Sequence, residues 1–167
     1  MAKQARNLTG QVAAITGAAR GIGALVVMDG DTVAGIVCRP LEDVSAFPAH
    51  DYSLIPVERY FDLKRARQID YISSQGCRFR CAFCADPAVY QRGWTALSPE
   101  RIGGEAERLH RRYHFDDLAF QDETFFTHAA RVDALAEEFL RRRLQITWTA
   151  TLRADQACRL GDALFAK

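Results

Sequence analysis

The sequence lacks a dominant charge of either sign, any long apolar run, and any repeat or low-complexity tract. Its 22 Lys and Arg stand against 21 Asp and Glu, a formal net charge of +1. Electrostatic attraction to nucleic acid or to an anionic membrane surface is therefore not expected. The basic run Arg141-Arg142-Arg143 ends a predicted helix, where cations complement the helix dipole. No stretch approaches the roughly 20 apolar residues of a membrane span. The opening residues Met1–Asn7 have no apolar signal-peptide core, so a cytoplasmic location is expected. The cysteines number five, an odd count that argues against a disulfide framework. In a reducing compartment they stay free to act as ligands. With 167 residues and 49% hydrophobic content, the chain is long and apolar enough to bury one core.

Three regions differ in character. Residues 1–23 read as a short strand, Val12–Ile15, running into a glycine-rich turn. Residues 24–68 open with two β-branched runs, Ala24–Met28 and Thr32–Val37, around Asp29-Gly30-Asp31, which predicts a hairpin. Pro40, Pro48 and Pro56 then space out an ordered connector arm. From residue 69 to 167 strands and helices alternate. Ile69–Ser74, Leu118–Gln121 and Ile146–Thr149 read as strands. Ser98-Pro99-Glu100 is a helix start, with Ile102, Ala106, Leu109 and Tyr113 on one face. A second amphipathic helix spans about 128–143 and carries Val132, Leu135, Ala136, Phe139 and Leu140, and a third begins near Asp155. Such alternation implies an α/β fold with parallel strands and crossover helices.

The most specific signal is Cys77, Cys81 and Cys84, spaced C-x3-C-x2-C directly after the first of these strands. Three thiolates this close suit three corners of a [4Fe–4S] cube and leave the fourth iron without a protein ligand from the motif. Zinc held by three cysteines and a histidine stays open as an alternative. His50, His110 and His114 would reach the loop only through folding. Cys38 and Cys158 stand alone and read as buried small hydrophobes.

The loop resembles the signature of radical S-adenosylmethionine (SAM) enzymes, C-x3-C-x-aromatic-C, with Phe83 as the aromatic. The stretches Tyr71–Cys77, Cys84–Tyr90, Phe120–Phe126 and Trp148–Asp155 are similar to the cobalamin-associated branch of that superfamily. The arm containing Arg39–Asp43, Phe47-Pro48 and Tyr60-Phe61 is similar to the one joining that branch's cobalamin domain to its barrel. The resemblance covers about residues 24–167. It implies that Cys77, Cys81 and Cys84 hold the cluster and that SAM chelates the open iron. It implies reductive cleavage of SAM to a 5′-deoxyadenosyl radical, fed by an external electron donor, acting on a small-molecule substrate. Methyl transfer or cyclisation would follow in a full-length parent. The backbone near Phe83 would lie against the adenine. Asp122 and Glu123, at the end of the second strand, would meet the SAM ammonium, and Arg153 its carboxylate or ribose side. Thr149 and Thr151 are weaker candidates.

The implied fold is the N-terminal half of a partial (βα)6 barrel, preceded by the hairpin and the arm. About half the strand–helix units of such a barrel are present, so open strand edges are expected. No D-x-H-x2-G cobalamin motif occurs, and a cobalamin domain is absent; cobalamin would belong to the full-length parent.

Thr16-Gly17-Ala18-Ala19-Arg20-Gly21-Ile22-Gly23 resembles the nucleotide-binding turn of short-chain dehydrogenases over about residues 8–23. An NAD(P)-dependent oxidoreductase carried by Gly17, Gly21 and Gly23 is therefore an alternative, as is a non-catalytic zinc module. A hairpin is expected where that family has a helix. Tyr60 and Lys64 match its Y-x3-K spacing but fall in the connector and read as coincidence. The chain thus looks like a dehydrogenase-like opening joined near Gly23 to a radical-SAM segment.

Overall fold

The computed structural model describes residues 13–16, 24–29, 32–38 and 41–160. The glycine-rich turn at 17–23, the hairpin tip at 30–31, Arg39, Pro40 and any helix beyond residue 160 lie outside the described residues. Among the described residues no helix is long and apolar enough to cross a membrane.

Three strands form an antiparallel sheet: β1 (Ala13–Thr16), β2 (Ala24–Asp29) and β3 (Thr32–Cys38). β2 and β3 pair from Ala24↔Cys38 to Asp29↔Thr32, the expected hairpin, with a register shift at Val27/Met28. β1 also pairs antiparallel with β2. A dinucleotide-binding βαβ unit would make that pair parallel.

The second sheet is parallel, as alternation predicts. Its order is β4 (Gln68–Tyr71), β7 (Asp117–Phe120), β8 (Thr147–Ala150). β4 meets β7 at Ile69↔Leu118 and Tyr71↔Phe120, and β7 meets β8 at Leu118↔Trp148. Residues of that parity, Ile69, Tyr71, Leu118 and Phe120, are buried on one face. Helices α3 (Pro99–Tyr113) and α4 (Ala129–Arg141) follow β4 and β7 in the chain and carry matching apolar stripes. Ile102, Ala106 and Leu109 from α3 and Val132, Leu135 and Phe139 from α4 join the same core cluster. Phe120, Phe125 and Trp148 stack within it, with centroids of Phe120 and Phe125 4.5 Å apart. The opposite parity leaves Asp70, Thr147 and Thr149 exposed.

The start of α3 follows from local chemistry. Ser98 Oγ accepts from the Arg101 amide at 3.2 Å, Pro99 opens the helix, and Glu100 lies in its first turn. α4 begins one residue later than expected, after His128. The last described helix, α5 (Ala154–Ala157), is a single turn.

Three expectations need correction, and the simplest is Cys158, which is exposed after α5 and not a buried small hydrophobe. The single strand Ile69–Ser74 is two elements: β4 ends at Tyr71, and β5 (Ser74–Gly76) pairs antiparallel with β6 (Trp94–Ala96). The connector also contributes to the core. It holds single 3-10 turns at Val44–Ala46 and Tyr52–Leu54, capped by Asp43 and Asp51. It then forms α1 (Val57–Lys64), and the i, i+4 pair Val57 and Phe61 is buried.

The arm is held on α3 by polar groups. Arg101 donates to the carbonyls of Ser45 (2.8 Å) and Phe47 (2.7 Å), and Arg108 to that of His50. Buried Glu105 accepts from His50 Nδ1 at 3.0 Å, Tyr71 Oη at 3.0 Å and Arg101 Nε at 2.9 Å. Burial alone would push the Glu105 carboxyl up, but the donors from His50, Arg101 and Tyr71 outweigh it and hold the group at about 2, against an ordinary 4.5. Burial, and then Glu105 itself, push the Tyr71 phenol well above its ordinary value.

A carboxyl lowered on folding adds stability above its unfolded pKa and loses it as pH falls through the folded one. The Glu105 contribution is therefore complete above about pH 4.5 and lost between there and about pH 2. At about 1.4 kcal/mol per unit it amounts to ~3 kcal/mol. Urea unfolding of wild type and Glu105→Gln from pH 7 to pH 3 checks this. The variant should be less stable at pH 7, and the gap should narrow on acidification; parallel curves would refute it.

Candidate functional site

Residues 77–93 connect β5 to β6 and include the one-turn helix α2 (Asp86–Val89); the three cysteines lie in the loop that precedes it. The β5–β6 pairing places Gly76 opposite Trp94, so the two ends of the loop are held together. Gly76 adopts φ +92°, and a Cβ there would stand 2.3 Å from the Gly93 carbonyl oxygen. Only glycine tolerates both the conformation and the approach.

Cys77 is buried and Cys81 and Cys84 are half-buried; all three are free thiols. The Cys84 amide donates to the Cys81 carbonyl at 3.1 Å and closes a turn between them. Among the described residues, no three Cys, His, Asp or Glu side chains gather as a metal-ligand group, thiols combined with histidine included. None of residues 78–85 is buried. Gathering the loop around a metal centre would therefore move residues that lie outside the core, with Cys77 the one buried thiol among the three. Three free thiols within eight residues are also the donor chemistry that an iron–sulfur cluster takes. In those two respects the loop fits such a group.

Two strand ends meet this loop. After β7, Asp122 is 3% exposed, and its carboxylate accepts from the Ser73 amide (2.7 Å), Ser73 Oγ (2.6 Å) and Ser74 Oγ (2.6 Å). Asp122 thereby ties β7 to the break between β4 and β5. Both its oxygens are used inside the protein, so of the expected acidic pair Glu123 is the one that faces outward. Glu123 is exposed, accepting from Tyr90 Oη at 2.6 Å and from the Gly76 amide at 3.3 Å, one residue before Cys77. It also lines a cavity of about 320 Å³ with Gln75, Tyr90, His50, Phe47 and Leu97.

After β8, Arg153 Nη1 donates to Cys81 Sγ, and its guanidinium carbon lies 4.0 Å from the Phe79 ring centroid. The hydrogen bond to Asp155 raises the Arg153 pKa further above its ordinary value; burial opposes this and Cys81 adds to it. Thr151 Oγ1 donates to the Asp122 carbonyl at 3.2 Å, while Thr149 stands exposed on β8. Phe83 is 95% exposed at the tip of the cysteine run.

Sequence reasoning missed several partners. Ser73, Ser74 and Tyr90 hold the two acids, and Arg131 donates from Nη2 to the Ser73 carbonyl and hydroxyl. Ser73-Ser74 carried a signal, as two hydroxyls directly before the cysteine motif. Tyr90 and Arg131 had none.

No protein-family model matches the chain. It is 30% identical over 121 residues to an uncharacterized methyltransferase of Pyrococcus horikoshii, covering 70% of this chain and 26% of that protein. It is 24% identical over 132 residues to the anaerobic magnesium-protoporphyrin IX monomethyl ester cyclase of Rubrivivax gelatinosus, covering 78% and 23%. In fold it is similar to the cobalamin-dependent S-adenosylmethionine radical enzyme OxsB, solved with aqua-cobalamin bound. That match has a TM-score of 0.57 and 20% identity, over 75% of this chain and 18% of OxsB. The resemblance to the cobalamin-associated branch of the radical SAM superfamily holds. The chain spans about a quarter of the curated relatives it matches. A radical-SAM reading is favoured over the dehydrogenase one, in line with the antiparallel β1–β2 pair. Gly17, Gly21 and Gly23 themselves lie outside the described residues.

Gly76→Ala tests the frame of this site. The clash with Gly93 and the strained φ should lower stability by about 1–3 kcal/mol in urea unfolding, with the helical circular dichroism of the native state retained. An unchanged midpoint would show that the β5–β6 junction is not built as described.

Proposed function

We propose that Cys77, Cys81 and Cys84 hold a [4Fe–4S] cluster and that SAM binds its open iron beside the carboxyl ends of β7 and β8. The observation that carries this reading is that Glu123 and Arg153, from the ends of two successive parallel strands, both meet the cysteine segment, at Tyr90 and at Cys81. Ligands of open parallel sheets gather at such strand ends. When bound, the cluster supplies the single electron for reductive cleavage of SAM to a 5′-deoxyadenosyl radical.

The residues divide the work by charge. Exposed Glu123 suits the SAM ammonium, with Tyr90 and the Gly76 amide orienting its carboxylate. Asp122 supports it from below by fixing Ser73 and Ser74. The Arg153 guanidinium suits the SAM carboxylate or ribose side, and Thr151 stands near it in the chain. The backbone near Phe83, which is exposed, would lie against the adenine. The parallel sheet is read as the first half of a (βα)6 barrel, with residues 24–68 as hairpin and arm and residues 1–23 as an opening whose strand β1 adds to the hairpin's sheet. An external donor would supply the electron, and a small molecule would be the substrate. The names of the relatives accord with methyl transfer or cyclisation in a longer parent, where cobalamin would be a further cofactor. Three free thiols as ligands suit a reducing, cytoplasmic setting.

Anaerobic reconstitution of the full chain with iron and sulfide tests this reading. A brown protein with about four irons per chain is expected, and replacement of all three cysteines by alanine should abolish it. Preferential zinc uptake, or iron content indifferent to the cysteines, would falsify it.

A further inference from the structure

The Arg153 guanidinium is fixed from three directions. Nη1 donates to Cys81 Sγ, the guanidinium carbon lies 4.0 Å from the Phe79 ring centroid, and Nε donates to Asp155 Oδ1 at 2.9 Å. Asp155 lies in the first turn of α5, so a carboxylate from the following element sets the fork before the loop meets it. Arginine suits the place because one planar group serves a sulfur, a ring and a carboxylate together. Lysine, a point charge on a flexible stem, would reach one of them.

From this geometry we infer that Arg153 is a positioning residue whose hydrogen bond to the Cys81 sulfur raises the reduction potential of the cluster. The inference rests on the reading that Cys81 is a cluster ligand. In the step concerned, the oxidised cluster takes one electron from an external low-potential donor and becomes the reduced cluster; no bond forms or breaks. The added electron increases negative charge on iron and sulfur. A donor aimed at a ligand sulfur stabilises that charge more than it stabilises the oxidised state, and hydrogen bonds to cluster sulfurs are among the terms that set the potential. Asp155 offsets part of the guanidinium's net charge but leaves its N–H dipole directed at the sulfur. Arg159 stands near Asp155 and weakens that offset in turn. Arg153 would thus act on the cluster in addition to any contact with SAM.

The test is a redox titration of the reconstituted full chain, followed by electron paramagnetic resonance without SAM. Arg153→Gln should still take up about four irons, with its midpoint moved to lower potential. A tenfold fall in the ratio of reduced to oxidised cluster at fixed potential is expected, which for a one-electron couple is ~59 mV. Arg153→Lys should fall between wild type and Arg153→Gln, because it keeps the charge and loses the fork. Equal potentials in wild type and Arg153→Gln would overturn the assignment. So would loss of iron uptake in both variants with circular dichroism unchanged, since Arg153 would then gather the loop and not tune the cluster. A wild-type chain that takes up no iron would instead overturn the cluster reading itself.

Discussion

The Asp122 carboxylate accepts three hydrogen bonds, from the Ser73 amide and from the hydroxyls of Ser73 and Ser74, and the geometry of the site depends on that junction. A buried carboxylate is costly unless donors surround it, so the chain after β4 must bring its amide and hydroxyls to the end of β7. That demand stops β4 at Tyr71 and turns the following residues out of the parallel sheet. The Leu97 amide and Arg131 then satisfy the Ser73 carbonyl from the far side. β5 becomes free to pair with β6, and the cysteine loop is carried beside the sheet's carboxyl edge. Without the junction, the three cysteines would sit on a loop with one anchored end.

The parallel sheet makes this arrangement directional. Its apolar face is buried in the core shared with α3 and α4, while on the other face exposed Asp70, Thr147 and Thr149 flank buried Ala119. Parallel sheets in compact proteins usually have both faces covered. In the half-barrel proposed above, that face would line the interior. The arm from Val44 to Tyr52 partly closes the same end. Arg101 and Glu105 fasten it to α3, so the cavity beside Glu123 has His50 and Phe47 as walls. Charge on α3 therefore shapes the approach to the site as well as stabilising the helix.

Features written in neighbouring residues were legible in the sequence. The Ser98 cap with Pro99, the hairpin around Asp29-Gly30, the stripes of α3 and α4 and the cysteine spacing each depend on a few consecutive positions. What stayed hidden was set by partners distant in the chain. The break after Tyr71 is imposed by Asp122, 49 residues from Ser73. The His50–Glu105 contact joins positions 55 apart. Asp122 and Glu123 are adjacent and chemically alike, so the sequence alone could not divide them. Parity and burial do: one points into the Ser73–Ser74 junction and the other toward the loop. The burial of Val57 and Phe61 was obscured by the prolines around them, which suggested an extended arm.

The site thus combines a fixed frame with an adaptable center. Its ends are held by β5–β6, by Asp122 and by Gly76, yet none of residues 78–85 is buried. Gathering three thiolates around a cluster requires local backbone change, and such change is least costly where no packed side chain must move. A loop already packed around its own side chains would have to break those contacts before it could close on iron. A loop free at both ends would lose far more conformational entropy on closing. Pinned ends with a middle that is unburied and held mainly by Arg153 against Phe79 and Cys81 lie between these extremes. Arg153, reaching in from the end of β8, supplies a charge-assisted donor to one sulfur in advance, which partly compensates the negative charge that the gathered thiolates would bring together.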